Sequence, residues 1–429
     1  MSGEKPREIA ARVLGQRAGG EFTEALLDRA LTGTRLSAAD RGLCHELVLG
    51  VVRWQATLDW LIARKTSGRT QKAGLQDLLR LGLYQIFWLD RIPDHAAVHE
   101  TVELAKRGGF GAQAGFVNAV LRGLLREADA TKQNLTDLQA TQPALGYSHP
   151  EWLYERWKNR WGTEQAARLM EWNNTPPKTY ARVNTLRTEA GKLIEKWREE
   201  GVDYDFKSFD WTGENVIFEL KSHPPLLTLE SFQQGWFYIQ DPSTLLAVRE
   251  LDPQPGEAIL DLCAAPGGKT TFLAQLVRNE ARVVACDVSD ARLKLVREND
   301  VRLGVTCVEP VLTSHLEPHS SHFDKVLVDA PCSNTGVLRR RADLRWRLRL
   351  EEIARLRATQ LDLLRRAATR LKPGGVLVYS TCSLEPEENL SVVEEFLREN
   401  GAFKQERERE LTPFAERVDG AFVARLRRL

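Results

Sequence analysis

Ala258-Ile259-Leu260-Asp261-Leu262-Cys263-Ala264-Ala265-Pro266-Gly267-Gly268-Lys269 is the stretch on which the fold turns. Five residues form a short apolar run that contains a carboxylate, small residues make a turn, and a helical pattern follows over residues 270–277. That order is the βα unit of a parallel sheet. The pattern recurs downstream, where residues 282–287, 305–309, 325–329 and 376–381 are apolar, β-branched runs. The first, second and fourth of the five runs lead into helices, and a further helix precedes the fifth. Buried parallel strands of a doubly wound α/β sheet account for this alternation.

In such sheets ligands lie outside the carboxyl ends of the strands, so the turn after residue 262 is a candidate site. Small side chains at Cys263, Ala264, Ala265, Pro266, Gly267 and Gly268 let a ligand lie against the backbone. Gly268-Lys269-Thr270 imitates the end of a phosphate-binding loop, but that pattern requires glycine at 263, where cysteine stands. The dinucleotide fingerprint also fails, because the two glycines are adjacent rather than spaced. A nucleoside without pyrophosphate fits better. Asp287, closing the second strand, is placed to accept hydrogen bonds from ribose hydroxyls; alternatively it caps the helix that begins near Ser289. S-adenosylmethionine is a ligand of this kind, and its sulfonium charge suits a pocket with carboxylates.

The fourth strand ends in Asp329-Ala330-Pro331-Cys332-Ser333 and the fifth in Ser380-Thr381-Cys382-Ser383. Both thiols are therefore expected to face the same crevice as the turn. A lone strand cysteine is usually a small buried hydrophobe, the reading given to Cys286 and Cys307, but two at adjacent strand ends suggest chemistry. Carbon 5 of cytosine is a poor nucleophile. Adding a thiolate at carbon 6 makes the ring an enamine that can accept a methyl group, and a second group must then help expel the thiol. Asp329 would hydrogen-bond the polar edge of the base as the adduct forms. Lys269 either stabilises a thiolate or touches the base, or is a plain helix-start lysine. Spacing alone does not decide which thiol attacks.

Outward from this core the chain changes character. Residues 6–127 read as helices throughout, with Phe22, Leu26, Leu27, Ala30 and Leu31 spaced along one face and a capping box at Ser37 and Asp40. The polar stretch 129–149 reads as a linker. Residues 150–235 read as a small α+β unit, and 236–429 as the α/β domain. A length of 429 residues fits such a multidomain chain. Lys and Arg number 60 against 59 Asp and Glu, so nucleic-acid contact would rest on local patches. The six scattered cysteines include no C-x-x-C pair, which argues against a metal site and for a reducing, cytoplasmic setting. The polar opening Met-Ser-Gly-Glu-Lys-Pro-Arg-Glu carries no signal-like apolar segment, and no later run suits a membrane span.

Three segments in order, D-L-C-A-A-P-G-G-K-T, D-A-P-C-S-N-T-G-V-L-R-R and Y-S-T-C-S-L-E-P-E-E-N, resemble the successive motifs of the RNA cytosine-C5 methyltransferase family. The resemblance implies a Rossmann-like domain that uses S-adenosylmethionine. It also implies that Cys382 is the nucleophile, that Cys332 assists product release, and that Asp329 is shared between base and cofactor. The helical part, residues 1–128, resembles the NusB-like RNA-binding domain of bacterial small-subunit ribosomal RNA members, the Sun or RsmB type. Residues 150–235 resemble the family's small RNA-binding subdomain, with Arg182-Val183-Asn184 matching its R-V-N, and Asp419-Gly420-Ala421-Phe422 resembles the start of its last strand. An Asp usually follows the third strand in the family; this chain has Glu309-Pro310, and Glu309 takes the adenine-side contact by position.

Ribosomal RNA, naked or partly assembled into a particle, is the implied partner of a monomeric chain. Arg182, Asn184, Arg339, Arg340 and Arg345 are the candidate RNA contacts, since six arginines and Trp346 fall in residues 339–349. The competing meaning of that run is a solvated helix face. Two other functions remain open: a transfer-RNA cytosine-C5 methyltransferase, and a catalytically idle RNA-binding factor of NusB type.

Overall fold

The computed structural model describes residues 4–214, 216–316 and 323–429; residues 1–3 of the polar opening stretch lie outside the described residues. The chain divides into two compact units, one comprising Met1–Pro176 and Leu338–Arg347, the other Pro177–Val337 and Leu348–Leu429.

The first unit is helical. Its helices Pro6–Gln16, Thr23–Leu31, Ala38–Arg53, Gln55–Lys65, Ala73–Trp88, Asp94–Ala105 and Ala114–Arg126 form because apolar residues recur every three to four positions and meet in one core. Leu47, Val48, Val51 and Val52 are fully buried there. Ser37 caps its helix, accepting from the Asp40 amide at 3.1 Å. Phe22 departs from the expected inner face: it is 48% exposed and stands just before its helix, with the Arg347 guanidinium 4.8 Å from its ring centroid.

The stretch read as a linker is helical, over Ala128–Thr141 and Pro143–Gly146. In the first of these helices a narrow stripe is packed, with Thr131 and Leu138 buried and Leu135 leaning on the core, and the second buries Ala144 and Gly146. The stripe's i, i+4, i+7 spacing was visible in the sequence but overshadowed by the polar residues around it. The next helix, Glu151–Asn174, bends at Gly162 (φ 85°) and falls within this compact unit.

The arginine-rich run corrects the expected RNA surface, because Leu338–Arg347 is the returning segment that packs into the helical unit. Arg339 is buried with its guanidinium 4.0 Å from the Trp172 ring centroid. Arg345 is fully buried, donating to the Asn174 side chain at 2.8 Å and to the carbonyls of Asn173 (3.0 Å), Ser148 (3.3 Å) and Arg53 (3.4 Å). Neither guanidinium is open to a phosphate, while Arg340 is half-buried. Asp343 accepts from the Thr23 amide and hydroxyl at 2.9 and 3.1 Å, and Trp346 donates to the Val52 carbonyl at 2.9 Å.

The second unit contains two sheets. In the small one, β1 (Thr179–Val183), β2 (Asp203–Lys207), β3 (Ile217–Ser222) and β4 (Phe237–Ile239) are antiparallel in the order β2-β3-β1-β4. Helix Ala190–Glu200 inserts Trp197 among Tyr204, Phe218 and Phe237, with ring centroids 5.3 to 5.5 Å apart.

The large sheet holds β5 (Ala258–Leu262), β6 (Arg282–Asp287), β7 (Val308–Leu312), β8 (Phe323–Asp329), β9 (Leu371–Thr381), β10 (Phe403–Leu411) and β11 (Ala421–Arg428). Their order is β10-β11-β9-β8-β5-β6-β7, with β5 to β9 parallel and β11 antiparallel to both neighbours. The order reverses between β5 and β8, the switch point at whose carboxyl ends the crevice of such a sheet is expected. The third parallel strand lies later than the expected 305–309: Val305 closes the preceding helix by bonding Asp300, and Pro310 is tolerated because β7 is an edge strand. The antiparallel hairpin of β10 and β11 was foreseen only at its second strand.

Candidate active site

β5 delivers Asp261 to the crevice with its side chain fully buried. Thr270, in the first turn of helix Gly268–Leu276, donates to Asp261 Oδ2 at 2.6 Å, while Oδ1 has no partner among the described residues. Burial pushes the Asp261 carboxyl up to about 7. The turn that follows is sewn to β6: the Ala264 amide donates to the Cys286 carbonyl at 2.8 Å and the Ala265 amide to Asp287 Oδ2 at 3.3 Å. Gly267 has φ 102°, which only glycine adopts without strain, and a Cβ there would meet the Val296 backbone at 3.4 Å.

Asp287 does not cap the next helix. Ser289 does so, its hydroxyl accepting from the Arg292 amide at 3.4 Å, which leaves Asp287 buried at the strand end against the turn. Glu309 is not brought into the site. It is exposed in the body of β7 and pairs at 3.2 Å with Arg282, the first residue of β6, so it lies toward the opposite end of the strands from the crevice. With the strand running to Leu312, the residue following it is Thr313. The misplaced strand end caused the misassignment.

The two cysteines meet. Cys332 Sγ and Cys382 Sγ are 3.3 Å apart, and the Cys382 thiol donates to Asn334 Oδ1 at 3.1 Å. Asn334, at φ 58°, turns back to donate to the Cys332 carbonyl at 2.6 Å. Lys269 Nζ pairs with Asp329 Oδ2 at 2.6 Å, and Ser380 donates to Asp329 Oδ1 at 2.7 Å, so the aspartate is fixed from both sides. The hydrogen bond with Cys382 and burial push the Cys332 thiol well above the usual range, so it is protonated at neutral pH. Burial alone would lower Lys269; Asp329, with a further contribution from Cys382, outweighs it and holds the ammonium charged.

Backbone approach completes the pair. The Gly336 amide donates to the Cys382 carbonyl at 3.0 Å, and the Gly420 amide to the Gly336 carbonyl at 2.9 Å. A Cβ on Gly336 would sit 2.7 Å from the Cys382 carbonyl oxygen, which explains glycine at this point of the P-C-S-N-T-G segment. Asp261, Asn334 and Ser380 are site residues that sequence reasoning left unassigned. The first closes the strand motif and the others flank the two cysteines, so proximity in sequence was the available signal. Among the described residues no group of His, Cys, Asp or Glu side chains is arranged to hold a metal ion, and no helix is long and apolar enough to cross a membrane.

Arg182 and Asn184, expected to touch RNA, are instead rivets inside the second unit. Arg182 is buried, donating to Gln240 Oε1 (2.7 Å), the Gly268 carbonyl (2.8 Å) and Thr271 Oγ1 (3.0 Å), and burial pushes it down to about 9. Asn184 donates to the carbonyls of Gly235 and Leu303, both at 2.8 Å. The R-V-N segment thus fastens the small sheet to the cofactor-turn helix. Arg182→Ala is expected to cost about 3 kcal/mol of stability, seen as a lower unfolding midpoint. The slope of log RNA affinity against log salt should stay unchanged, because no phosphate contact is lost; a flatter slope would return Arg182 to the RNA interface.

Residues 248–427 match the family described as 16S rRNA methyltransferase RsmB/F, residues 4–126 match the NusB family, and residues 149–210 match the RsmF/B-like ferredoxin-like domain. A probable ribosomal RNA small subunit methyltransferase B from Bacillus subtilis (strain 168) is 35% identical over 405 residues, covering 93% of this chain and 89% of that protein. The ribosomal RNA small subunit methyltransferase B of Escherichia coli O1:K1 / APEC is 36% identical over 407 residues, 91% of each. Among solved structures, PH0851 superposes with a TM-score of 0.77 at 26% identity over 98% of both chains. NSun6 from Pyrococcus horikoshii, solved with SFG, gives 0.57 at 27% identity, over 65% of this chain and 98% of that one.

Proposed function

Because the chain belongs to the ribosomal RNA small subunit methyltransferase B family, we propose that it methylates carbon 5 of a cytosine in small-subunit ribosomal RNA through a covalent adduct on Cys382. The observation that carries this reading is the meeting of two thiols, 3.3 Å apart, beside the Lys269–Asp329 pair.

S-adenosylmethionine is the methyl donor that suits the turn, and when bound it supplies an electrophilic methyl group. The orphaned Asp261 Oδ1 matches the chemistry of an ammonium group such as the donor's methionine end carries. The small residues Cys263–Gly268 leave its backbone open to close approach, and the Asp287 carboxylate suits ribose hydroxyls. Support also comes from the NSun6 relative solved with SFG, an analogue of that donor.

Cys382, as thiolate, bonds to carbon 6, and the electrons of the carbon 5–carbon 6 double bond become available to take up the methyl group. Asp329, held by Lys269 and Ser380, hydrogen-bonds the polar edge of the base and favours charge neutralisation at N3 as the adduct forms. Transfer of the carbon 5 proton to water then returns its bonding electrons to the carbon 5–carbon 6 double bond, and the carbon 6–sulfur bond breaks with its electrons leaving on the Cys382 sulfur. Cys332, still protonated, donates a hydrogen bond to the departing Cys382 thiolate. The target base must be single-stranded or flipped out for the sulfur to reach it.

The NusB match at residues 4–126 favours ribosomal over transfer RNA. An idle binding factor would not need Lys269, Asp287, Asp329, Cys332 and Cys382 together. Incubation with labelled S-adenosylmethionine and total RNA, followed by bisulfite mapping, should place 5-methylcytosine in small-subunit ribosomal RNA. Label on transfer RNA, DNA or protein would overturn the substrate class.

Asp261 gives a pH signature. Its raised pKa means that ionised Asp261 is formed only as pH rises through about 7, and ionised Asp261 is the form that attracts a cationic ligand. Donor affinity is therefore expected to rise from pH 6 to pH 8 by about tenfold, read by calorimetry. Asp261→Asn should flatten that profile; an unchanged pH dependence would remove Asp261 from the donor site.

A further inference from the structure

We propose that Glu388 is the positioning residue that sets the separation of the two thiols, a role that rests on reading Cys382 as the nucleophile and Cys332 as the releasing thiol. The cysteines leave two different strands, β8 and β9, and each is followed by a serine, Ser333 and Ser383. One fully buried carboxylate holds both serines. Glu388 Oε1 accepts from the Ser333 amide at 2.8 Å and from Gln360 Nε2 at 3.0 Å; Oε2 accepts from the hydroxyls of Ser383, at 2.5 Å, and of Ser333. Four donors thus fill the acceptor directions of the carboxylate.

The clamp is itself anchored. Tyr379, in the strand that carries Cys382, donates its hydroxyl to the Glu388 carbonyl at 2.5 Å. The adjoining Asn389 accepts from Thr381 Oγ1 at 2.6 Å and donates to the Ser383 carbonyl at 2.9 Å. Gln360 also donates to the Pro331 carbonyl at 2.9 Å, tying the helix Leu350–Arg370 to the Cys332 loop. Every residue next to a thiol is therefore referred to one buried point, and the 3.3 Å sulfur separation follows from it. Glu388 touches neither sulfur, so it acts through the loops.

Both attack and release need the sulfurs held to a fraction of an ångström. Glu388→Ala is expected to slow single-turnover methylation about 100-fold, the usual cost of a displacement near 1 Å. Donor affinity should stay within about twofold, because the cofactor turn makes no bond to Glu388. Glu388→Gln keeps the shape: its oxygen still accepts from Ser333 and Gln360, and its amide donates to the two hydroxyls, which turn round. That variant should stay within about tenfold of the parent rate.

A direct readout of the separation is capture by phenylarsine oxide, which bonds two neighbouring thiols at once. The parent protein and Glu388→Gln should bind it through Cys332 and Cys382, Cys382→Ala should lose that capture, and Glu388→Ala should bind it at least about tenfold more slowly. Full activity, or undiminished capture, in Glu388→Ala overturns the proposal. A fully active Cys382→Ala would instead overturn the assignment of the nucleophile, while the arsenical result would still report on the clamp.

Discussion

Cys382→Ala is expected to lower methylation by about 10⁴-fold and to leave no covalent protein–RNA species, whereas Cys332→Ala is expected to accumulate that species. The asymmetry comes from the environments of two chemically identical groups. Cys332 is buried and bonded to its partner sulfur, which keeps its proton in place at neutral pH. Cys382 is partly exposed and aims its thiol at Asn334 Oδ1, and the Lys269 ammonium is near enough for the two to interact electrostatically. A sulfur that keeps its proton is suited to assist a departing thiolate rather than to attack. Labelled RNA incubated with each variant and run on a denaturing protein gel separates the cases. An adduct with Cys382→Ala and none with Cys332→Ala would exchange the roles.

The second large effect concerns stability, not chemistry. Arg345→Ala is expected to destabilise the helical unit by about 3 kcal/mol or more, because the side-chain oxygen of Asn174 and the carbonyls of Asn173, Ser148 and Arg53 lose a common donor. No carboxylate balances this guanidinium in those bonds, and burial pushes its pKa well below the ordinary arginine value. Arg345→Lys should rescue little, since one ammonium cannot reproduce the planar fork that reaches four acceptors. Denaturant unfolding of the intact protein measures the shift. An unchanged midpoint together with weakened RNA binding would restore this arginine to the RNA surface.

The sequence disclosed most where chemistry and periodicity are local. Strands β5 and β6 fell at their observed limits because apolar runs there are bounded by a small-residue turn and by Asp287. The convergence of Cys332 and Cys382 followed from the rule that parallel strands share one functional edge. Edge strand β7 was shifted, since Pro310 and Glu309 blur the apolar run, and Glu309 went with it. Burial of basic side chains was illegible. Arg182, Arg339 and Arg345 read as RNA contacts, yet each meets carbonyls or aromatic faces contributed by residues far away in the chain. Glu388 was hidden for the same reason: its meaning lies in Ser333 and Gln360, which no local pattern links to it.

The chain passes from one compact unit to the other at Pro176–Pro177, at Val337–Leu338 and at Arg347–Leu348. A single cut therefore cannot yield two finished halves. A fragment beginning at Pro177 would still carry the decapeptide that docks into the removed half, leaving Trp346 and the bonding groups of Arg345 facing water, a ready cause of aggregation in recombinant preparations.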